Sequence, residues 1–345
     1  MKIRTLLVDS SYLLKRSFTG AKDTYTDKFG AIGGLYSFLT TVRKLIREHK
    51  INKVVLVWDG ENGGVDRYML DHAYKANRTT KYWHKKIELT NAEYKKEQQK
   101  KESILKNRKR IQVYAEELFL RQIEVETIEA DDLIASYCFR YNNKEEIFIY
   151  TNDRDFSQLL DLNITIIFGN IDEPVTRHNF YFKFNYNYKN ALPIKIICGD
   201  TADNIEGIHG VKEDTLLKYF PDLGFKEMTV REICRKADEI NKERVANKKK
   251  PLKALENIVN GVERLILNHK LMNLREPFLN EEAIEQLEQL DFPLSDKGRS
   301  SQNLYKLMIE DDFLLVYKSN FVNYIEPFYT VITNEQQLLK EYDEK

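Results

Sequence analysis

The sequence predicts an α/β fold, with a mostly parallel central sheet flanked by helices and a helical part towards the C-terminus. Three observations carry this. Near-continuous apolar runs recur at Thr5–Val8, Val54–Trp58, Ile147–Thr151 and Ile164–Phe168, the pattern of strands buried on both faces. Helical-period segments lie between them, which argues for crossover connections and a parallel sheet. From Pro193 onward strand signals fade and helices dominate.

In order, Thr5–Val8 runs into Asp9-Ser10-Ser11, with Arg16 and Phe18 beyond. The polar stretch 23–34, with Gly30, Gly33 and Gly34, predicts a loop. Leu35, Phe38, Leu39, Val42, Leu45 and Ile46 then repeat at helical spacing. The strand Val54–Trp58 ends in Asp59-Gly60. Between Lys75 and Arg110 there are 13 Lys/Arg against 4 Glu, with Tyr82, Trp83 and Tyr94 interleaved. Apolar residues there are too few for a core-facing stripe, so a poorly buried helix is expected. Ile123–Val125 predicts a short strand, and residues 129–140 an acidic-headed helix. Ile147–Thr151 ends in Asn152-Asp153-Arg154-Asp155, and Ile194–Cys198 leads to Gly199-Asp200-Thr201-Ala202-Asp203-Asn204. Gly207-Ile208-His209-Gly210-Val211-Lys212 follows as a turn opening a helix over about 214–219.

The chain has 345 residues and formal net charge +0, from 54 basic and 54 acidic residues. The zero sum says little about the surface, because the charges are segregated along the chain. Cys138, Cys198 and Cys234 are odd in number and form no CxxC pair, so neither a zinc site nor a disulfide framework is supported and a reducing, cytoplasmic setting is expected. No run approaches the roughly 20 apolar residues of a membrane span.

Asp9, Asp59, Asp153 and Asp155 each follow a predicted buried strand. In a parallel sheet the carboxyl ends of strands line one crevice. A single strand-end Asp is usually a turn former, and an acidic first turn such as Glu129-Ala130-Asp131-Asp132 simply complements a helix dipole. Together with Asp200 and Asp203, however, they form an oxygen-rich, histidine-free and thiol-free set suited to Mg²⁺ or Mn²⁺. Two such ions can hold a phosphodiester, activate water and stabilise the leaving oxygen. The basic, aromatic stretch suits phosphate contact and base stacking, although a solvated charged face is an equal reading of its composition. Two alternatives stand beside metal-dependent hydrolysis. One is an aspartyl-phosphate phosphatase built on Asp153-Arg154-Asp155, which leaves the Glu129 cluster unexplained. The other is a branched-DNA-binding protein with a weak or dead site.

Several strings match a known family: Leu6-Leu7-Val8-Asp9-Ser10-Ser11, Asp59-Gly60, Arg67 with Tyr74-Lys75-Ala76-Asn77-Arg78, Glu129-Ala130-Asp131-Asp132-Leu133-Ile134-Ala135, Thr151-Asn152-Asp153-Arg154-Asp155 and Gly199-Asp200-Thr201-Ala202-Asp203-Asn204-Ile205. In order and spacing, over about residues 1–220, the chain resembles the flap endonuclease/5′-3′ exonuclease family, notably stand-alone phage-type 5′ nucleases and the 5′ nuclease domain of bacterial DNA polymerase I. The resemblance implies a PIN-like nuclease fold with a catalytic core over 1–192, including a helical arch at about 75–117. It implies a helical duplex-binding part over 193–290, with a helix–hairpin–helix-type element at about 200–220. Residues 291–345 are an extension of unassigned role.

The resemblance also implies site roles. Asp9, Asp59, Glu129 and Asp131 look like ligands of one metal ion. Asp153, Asp155, Asp200 and Asp203 look like those of a second, with Asp132 between the sets. Lys75 and Arg78 would polarise the scissile phosphate. Arg16, Arg67, Tyr74, Lys81, Lys85, Lys86, Gly207, Gly210 and Lys212 would contact nucleic acid. Lys212 stands where the family's hairpin usually has its last glycine, and the hairpin is a K⁺ site in the family. Implied substrates are 5′ flaps, nicked or branched DNA duplexes and RNA–DNA hybrids, cut with Mg²⁺, or Mn²⁺ in its place, during primer removal in replication. The chain is expected to act as a monomer in the cytoplasm (a host's, if phage-encoded), with a sliding clamp or single-strand-binding protein as candidate partners. The tail Gln336-Gln337-Leu338-Leu339-Lys340-Glu341-Tyr342 only faintly resembles a clamp-binding peptide, and an ordinary terminal helix is its simpler reading.

Overall fold

The computed structural model describes residues 2–20, 25–26, 30–77, 91–295, 298–313 and 320–344. The chain forms two compact units, one of residues 1–63, 88–152 and 279–345, the other of residues 64–87 and 153–278.

The first unit holds four parallel strands: β1 (Arg4–Asp9), β2 (Lys53–Trp58), β3 (Arg121–Glu124) and β4 (Glu146–Thr151). Their spatial order is β3–β2–β1–β4. Leu6, Leu7 and Val8 of β1 and Val54, Val55 and Leu56 of β2 are fully buried, as unbroken apolar strands in a covered parallel sheet should be. Helices Ser10–Gly20, Ala130–Tyr141 and Tyr329–Asp343 pack against these strands. Helix Gly33–His49 buries the predicted stripe of Leu35, Phe38, Leu39, Val42, Leu45 and Ile46.

At the start of β1 and β2 lies a buried polar cluster. Lys53 Nζ donates to Glu145 Oε1 at 2.9 Å, while Glu145 Oε2 accepts from the Thr5 hydroxyl and the Tyr137 hydroxyl, each at 2.6 Å. Every polar atom named is matched, so the buried charges are compensated. The C-terminal segment supplies a second buried pair. Arg121 of β3 makes a two-pronged contact with Glu335 at 2.8 and 2.6 Å, and its remaining nitrogen donates to the carbonyls of Leu290 and Phe292, each at 2.8 Å. Asp311 likewise pairs with Arg110 and accepts from the Tyr114 hydroxyl at 2.7 Å. Both Arg110 and Tyr114 belong to the 27-residue helix Asn91–Glu117.

The second unit is mainly helical. Its strand Thr165–Phe168 is bridged to Val175 through Ile166. Helix Ala191–Cys198 leads into a two-stranded hairpin, Gly199–Asp200 with Ile205–Glu206, and then to helix Glu213–Tyr219. Residues 154–162, which carry no clear periodicity, form a 3₁₀ helix opened by the Asp153 carboxylate accepting the Asp155 N–H at 2.8 Å. Among the described residues no helix is long and apolar enough to cross a membrane.

Candidate metal-dependent active site

Each unit carries its own set of the predicted carboxylates. In the first, register does the positioning. Asp9 is the last residue of β1 and pairs with Val57, so Asp59 lies just beyond the end of the neighbouring strand. Asp9 Oδ1 accepts the Tyr12 N–H and Oδ2 accepts the Thr151 hydroxyl, both at 3.0 Å, which fixes the carboxylate at the strand ends. Asp59 Oδ1 accepts the N–H of Ala130 at 3.0 Å, and its own N–H donates to Ser11 Oγ at 3.2 Å. Asp59 thereby satisfies an orphan donor at the start of helix Ala130–Tyr141, whose extended N-cap is Glu129. Glu129 and Asp132 are buried and Asp131 is half-buried. Negative charge in this first turn is favoured by the helix dipole. Gly60 allows the approach of the two segments, because a Cβ there would lie 2.0 Å from the Val125 carbonyl. Arg108, whose role the sequence left open, donates to the Asp59 carbonyl at 3.0 Å, pairs with Glu124 at 2.8 Å and lies over the Trp58 ring.

In the second unit the organiser is Lys195. Its ammonium contacts Asp155, lies 2.7 Å from Asp200 Oδ2 and is 3.9 Å from Asp153 Oδ1. Burial, and then the neighbouring Asp153 charge, push the Asp155 carboxyl up to about 7 even though Lys195 pulls the other way. Burial works in the same direction on Asp200, but there Lys195 and the N–H groups of Ala202 and Asp203 win and hold it below its ordinary value. Lys75 lies 3.9 Å from Asp203 Oδ2. It is held there by backbone: its N–H donates to the Asp203 carbonyl at 2.7 Å, Asn77 donates to the Thr201 carbonyl at 3.0 Å, and Asn204 donates to the Ala73 carbonyl at 2.7 Å. Lys75 takes a left-handed φ of 54° to do this.

Among the described residues no three His, Cys, Asp or Glu side chains are gathered in a metal-holding arrangement. The donor set nevertheless fits a hard cation. Three carboxylates converge on one positive charge, the Lys195 ammonium, and hard divalent ions take such oxygen ligands. Lys195 belongs to no motif of the sequence. Its one available signal is a lone lysine inside the apolar run Pro193-Ile194-Lys195-Ile196-Ile197-Cys198.

Two expected nucleic-acid contacts lie buried in the second unit. Arg67 is buried, with Nε donating to the Leu271 carbonyl at 2.8 Å and its guanidinium over the Phe278 ring. Tyr74 packs with Ile205, Leu271 and Met272. Arg16 is exposed and donates to the Tyr12 hydroxyl at 2.9 Å. Gly207 abuts the Cys198 carbonyl, where a Cβ would come within 2.1 Å. Gly210 has φ +77°, whereas Lys212 is exposed and extended at φ −125°, so the missing glycine costs no backbone strain. Arg78, Lys81, Lys85 and Lys86 lie outside the described residues.

The family model for the 5′-3′ exonuclease N-terminal, resolvase-like domain matches residues 4–185. The chain belongs to the 5′-3′ exonuclease family. This exonuclease-family chain is 27% identical over 297 residues to a 5′-3′ exonuclease of Mycoplasmopsis pulmonis, covering 83% of the chain and 90% of the relative. It is 26% identical over 290 residues to a 5′-3′ exonuclease of Aquifex aeolicus, covering 82% and 91%. A thermostable DNA polymerase I of Thermus caldophilus is 25% identical over 250 residues, which are 71% of this chain but 27% of the polymerase. The fold is shared with the flap endonuclease of bacteriophage T5, solved with DNA and metal ions, at TM-score 0.63 and 18% identity over 92% of this chain and 100% of that one. It is also shared with T5 5′-exonuclease bound to zinc, at TM-score 0.60 and 18% identity over 91% and 99%. The protein is a nuclease, a hydrolase of phosphodiester bonds.

Proposed function

We propose that this nuclease is structure-selective and sequence-independent, acting as a 5′-3′ exonuclease and flap endonuclease with two divalent ions. The observation that most supports the two-ion reading is the seating of the Lys195 ammonium among Asp153, Asp155 and Asp200. It marks these carboxylates as a site built around positive charge. Asp9, Asp59, Glu129 and Asp131 would hold one ion, Asp153, Asp155, Asp200 and Asp203 the other, and Asp132 would serve both sets. Bound there, Mg²⁺ or Mn²⁺ supplies the charge that polarises a phosphodiester and acidifies a water. The water oxygen bonds to phosphorus as the P–O3′ bond breaks, leaving a 5′ phosphate and a 3′ hydroxyl.

The chain's own residues do the rest. Thr151, Tyr12 and Ala130 fix the carboxylates of Asp9 and Asp59, so little reorganisation is needed when charge arrives. Lys75, held beside Asp203, would present its ammonium to the scissile phosphate, and Arg78 would join it. Gly207, Gly210 and Lys212 would meet the duplex backbone, with K⁺ at the hairpin, and the basic run with Lys81, Lys85 and Lys86 would meet the 5′ single strand. Primer removal and flap trimming in replication, on RNA–DNA hybrid or DNA, is the role proposed.

Asp153→Asn tests this. The expected result is loss of cleavage with flap-DNA affinity kept in a gel-shift or anisotropy titration. A variant that cuts at the normal rate would remove Asp153 from the ion site and overturn the ligand assignment.

A further inference from the structure

Lys195 is the one charged residue of helix Ala191–Cys198 and is half-buried; Ile194, Ile196 and Ile197 around it are buried. Its ammonium contacts Asp155 and lies 2.7 Å from Asp200 Oδ2 and 3.9 Å from Asp153 Oδ1. Ammonium and divalent ion therefore compete for the same oxygens. The carboxylates outnumber the single ammonium, which leaves a net attraction for a cation. The same charge, in hydrogen-bond contact with the ligands, repels any ion that enters while it stays. A lysine has a flexible four-carbon stem and can withdraw its head group without moving the helix.

We propose that Lys195 is the resident counter-cation of the second carboxylate set, and that a divalent ion loads there only as the ammonium leaves. The proposal rests on the two-ion reading above. Lys195 keeps Asp153, Asp155 and Asp200 from repelling one another in the ion-free protein, and it sets a threshold for ion loading. It is a positioning residue, acting through the carboxylates.

The test is calorimetric titration of Mn²⁺ into the full chain without DNA, comparing wild type, Lys195→Met and Lys195→Arg. Met keeps the apolar stem and removes the charge. Removing a unit charge in contact with the ligands should lower the second-ion Kd at least tenfold, leave the first-ion Kd within about twofold, and not do so in the charge-keeping Arg variant. A second-ion Kd in Lys195→Met equal to or weaker than wild type overturns the proposal. A single Mn²⁺ site in both chains overturns the two-ion reading instead, a distinguishable result.

Should Lys195→Met not fold, the unaltered chain decides. Acylation of Lys195 by an N-hydroxysuccinimide ester, read by mass spectrometry, is expected to speed up when Ca²⁺ is added, because the ammonium is expelled. Unchanged or slower acylation overturns the proposal.

Discussion

Gly60→Ala is the perturbation that most sharply separates site geometry from bulk stability. A Cβ at Gly60 would sit 2.0 Å from the Val125 carbonyl oxygen and 2.2 Å from that of Glu126, against a floor of 3.0 Å for real Cβ contacts. The obstacle is backbone, so the Asp59–Gly60 segment must retreat by at least the difference, 3.0 − 2.0, about 1 Å. That retreat breaks the Gly60 N–H contact with the Ile128 carbonyl at 3.1 Å and pulls Asp59 Oδ1 from the Ala130 N–H. Overpacking of this kind costs about 1–3 kcal/mol. A misplacement of about 1 Å in a catalytic ligand costs about 100-fold in rate. Gly63→Ala is the control, since its Cβ would meet carbonyls at 3.1 and 3.2 Å and needs only tenths of an ångström. Urea midpoints and single-turnover cleavage of an end-labelled 5′ flap should show Gly60→Ala folded, mildly destabilised and about 100-fold slow, with Gly63→Ala near wild type. A Gly60→Ala chain with wild-type stability and rate would refute the claim that this close approach places Asp59.

Three further outcomes follow from the same contacts. Glu335→Gln leaves Arg121 buried without its counter-charge and should cost about 3–5 kcal/mol in denaturant melts; the double change Arg121→Met with Glu335→Leu should recover most of the loss, and failure to recover would mean that the pair is irreplaceable. Arg67→Ala should lower stability by about 1–3 kcal/mol through lost packing; a fully stable variant with weakened DNA binding would restore Arg67 as a phosphate contact. Asp155, raised from 3.8 to about 7 chiefly by burial, favours the folded state most when protonated. Its contribution to ion-free stability is therefore present below about pH 4 and lost as pH rises towards 7, and Asp155→Asn should flatten that part of the stability profile.

The sequence made the sheet legible because unbroken apolar runs such as Val54–Trp58 occur where both faces of a strand are covered. Asp9 and Asp59 were legible as a pair because parallel register brings successive strand ends to one edge. Other features depended on contacts far apart in sequence. Arg67 and Tyr74 stood out only within strings matched to a family, and nothing local to them shows that Leu271, some 200 positions away, packs against both. Lys195 read as part of a hydrophobic run, and only the fold brings Asp155 and Asp200 to it. The role of residues 291–345 stayed dark for the same reason: Asp311 and Glu335 acquire meaning only through Arg110 and Arg121.

These carboxylates are proposed to hold divalent ions that cut nucleic acid at a 5′ flap. Cleavage of an end-labelled 5′-flap duplex, with Mg²⁺ and with EDTA, tests it most directly. Cuts near the junction with Mg²⁺, and none with EDTA, are expected. Tight flap binding without cleavage in either Mg²⁺ or Mn²⁺, or equal cleavage in EDTA, would contradict the proposal.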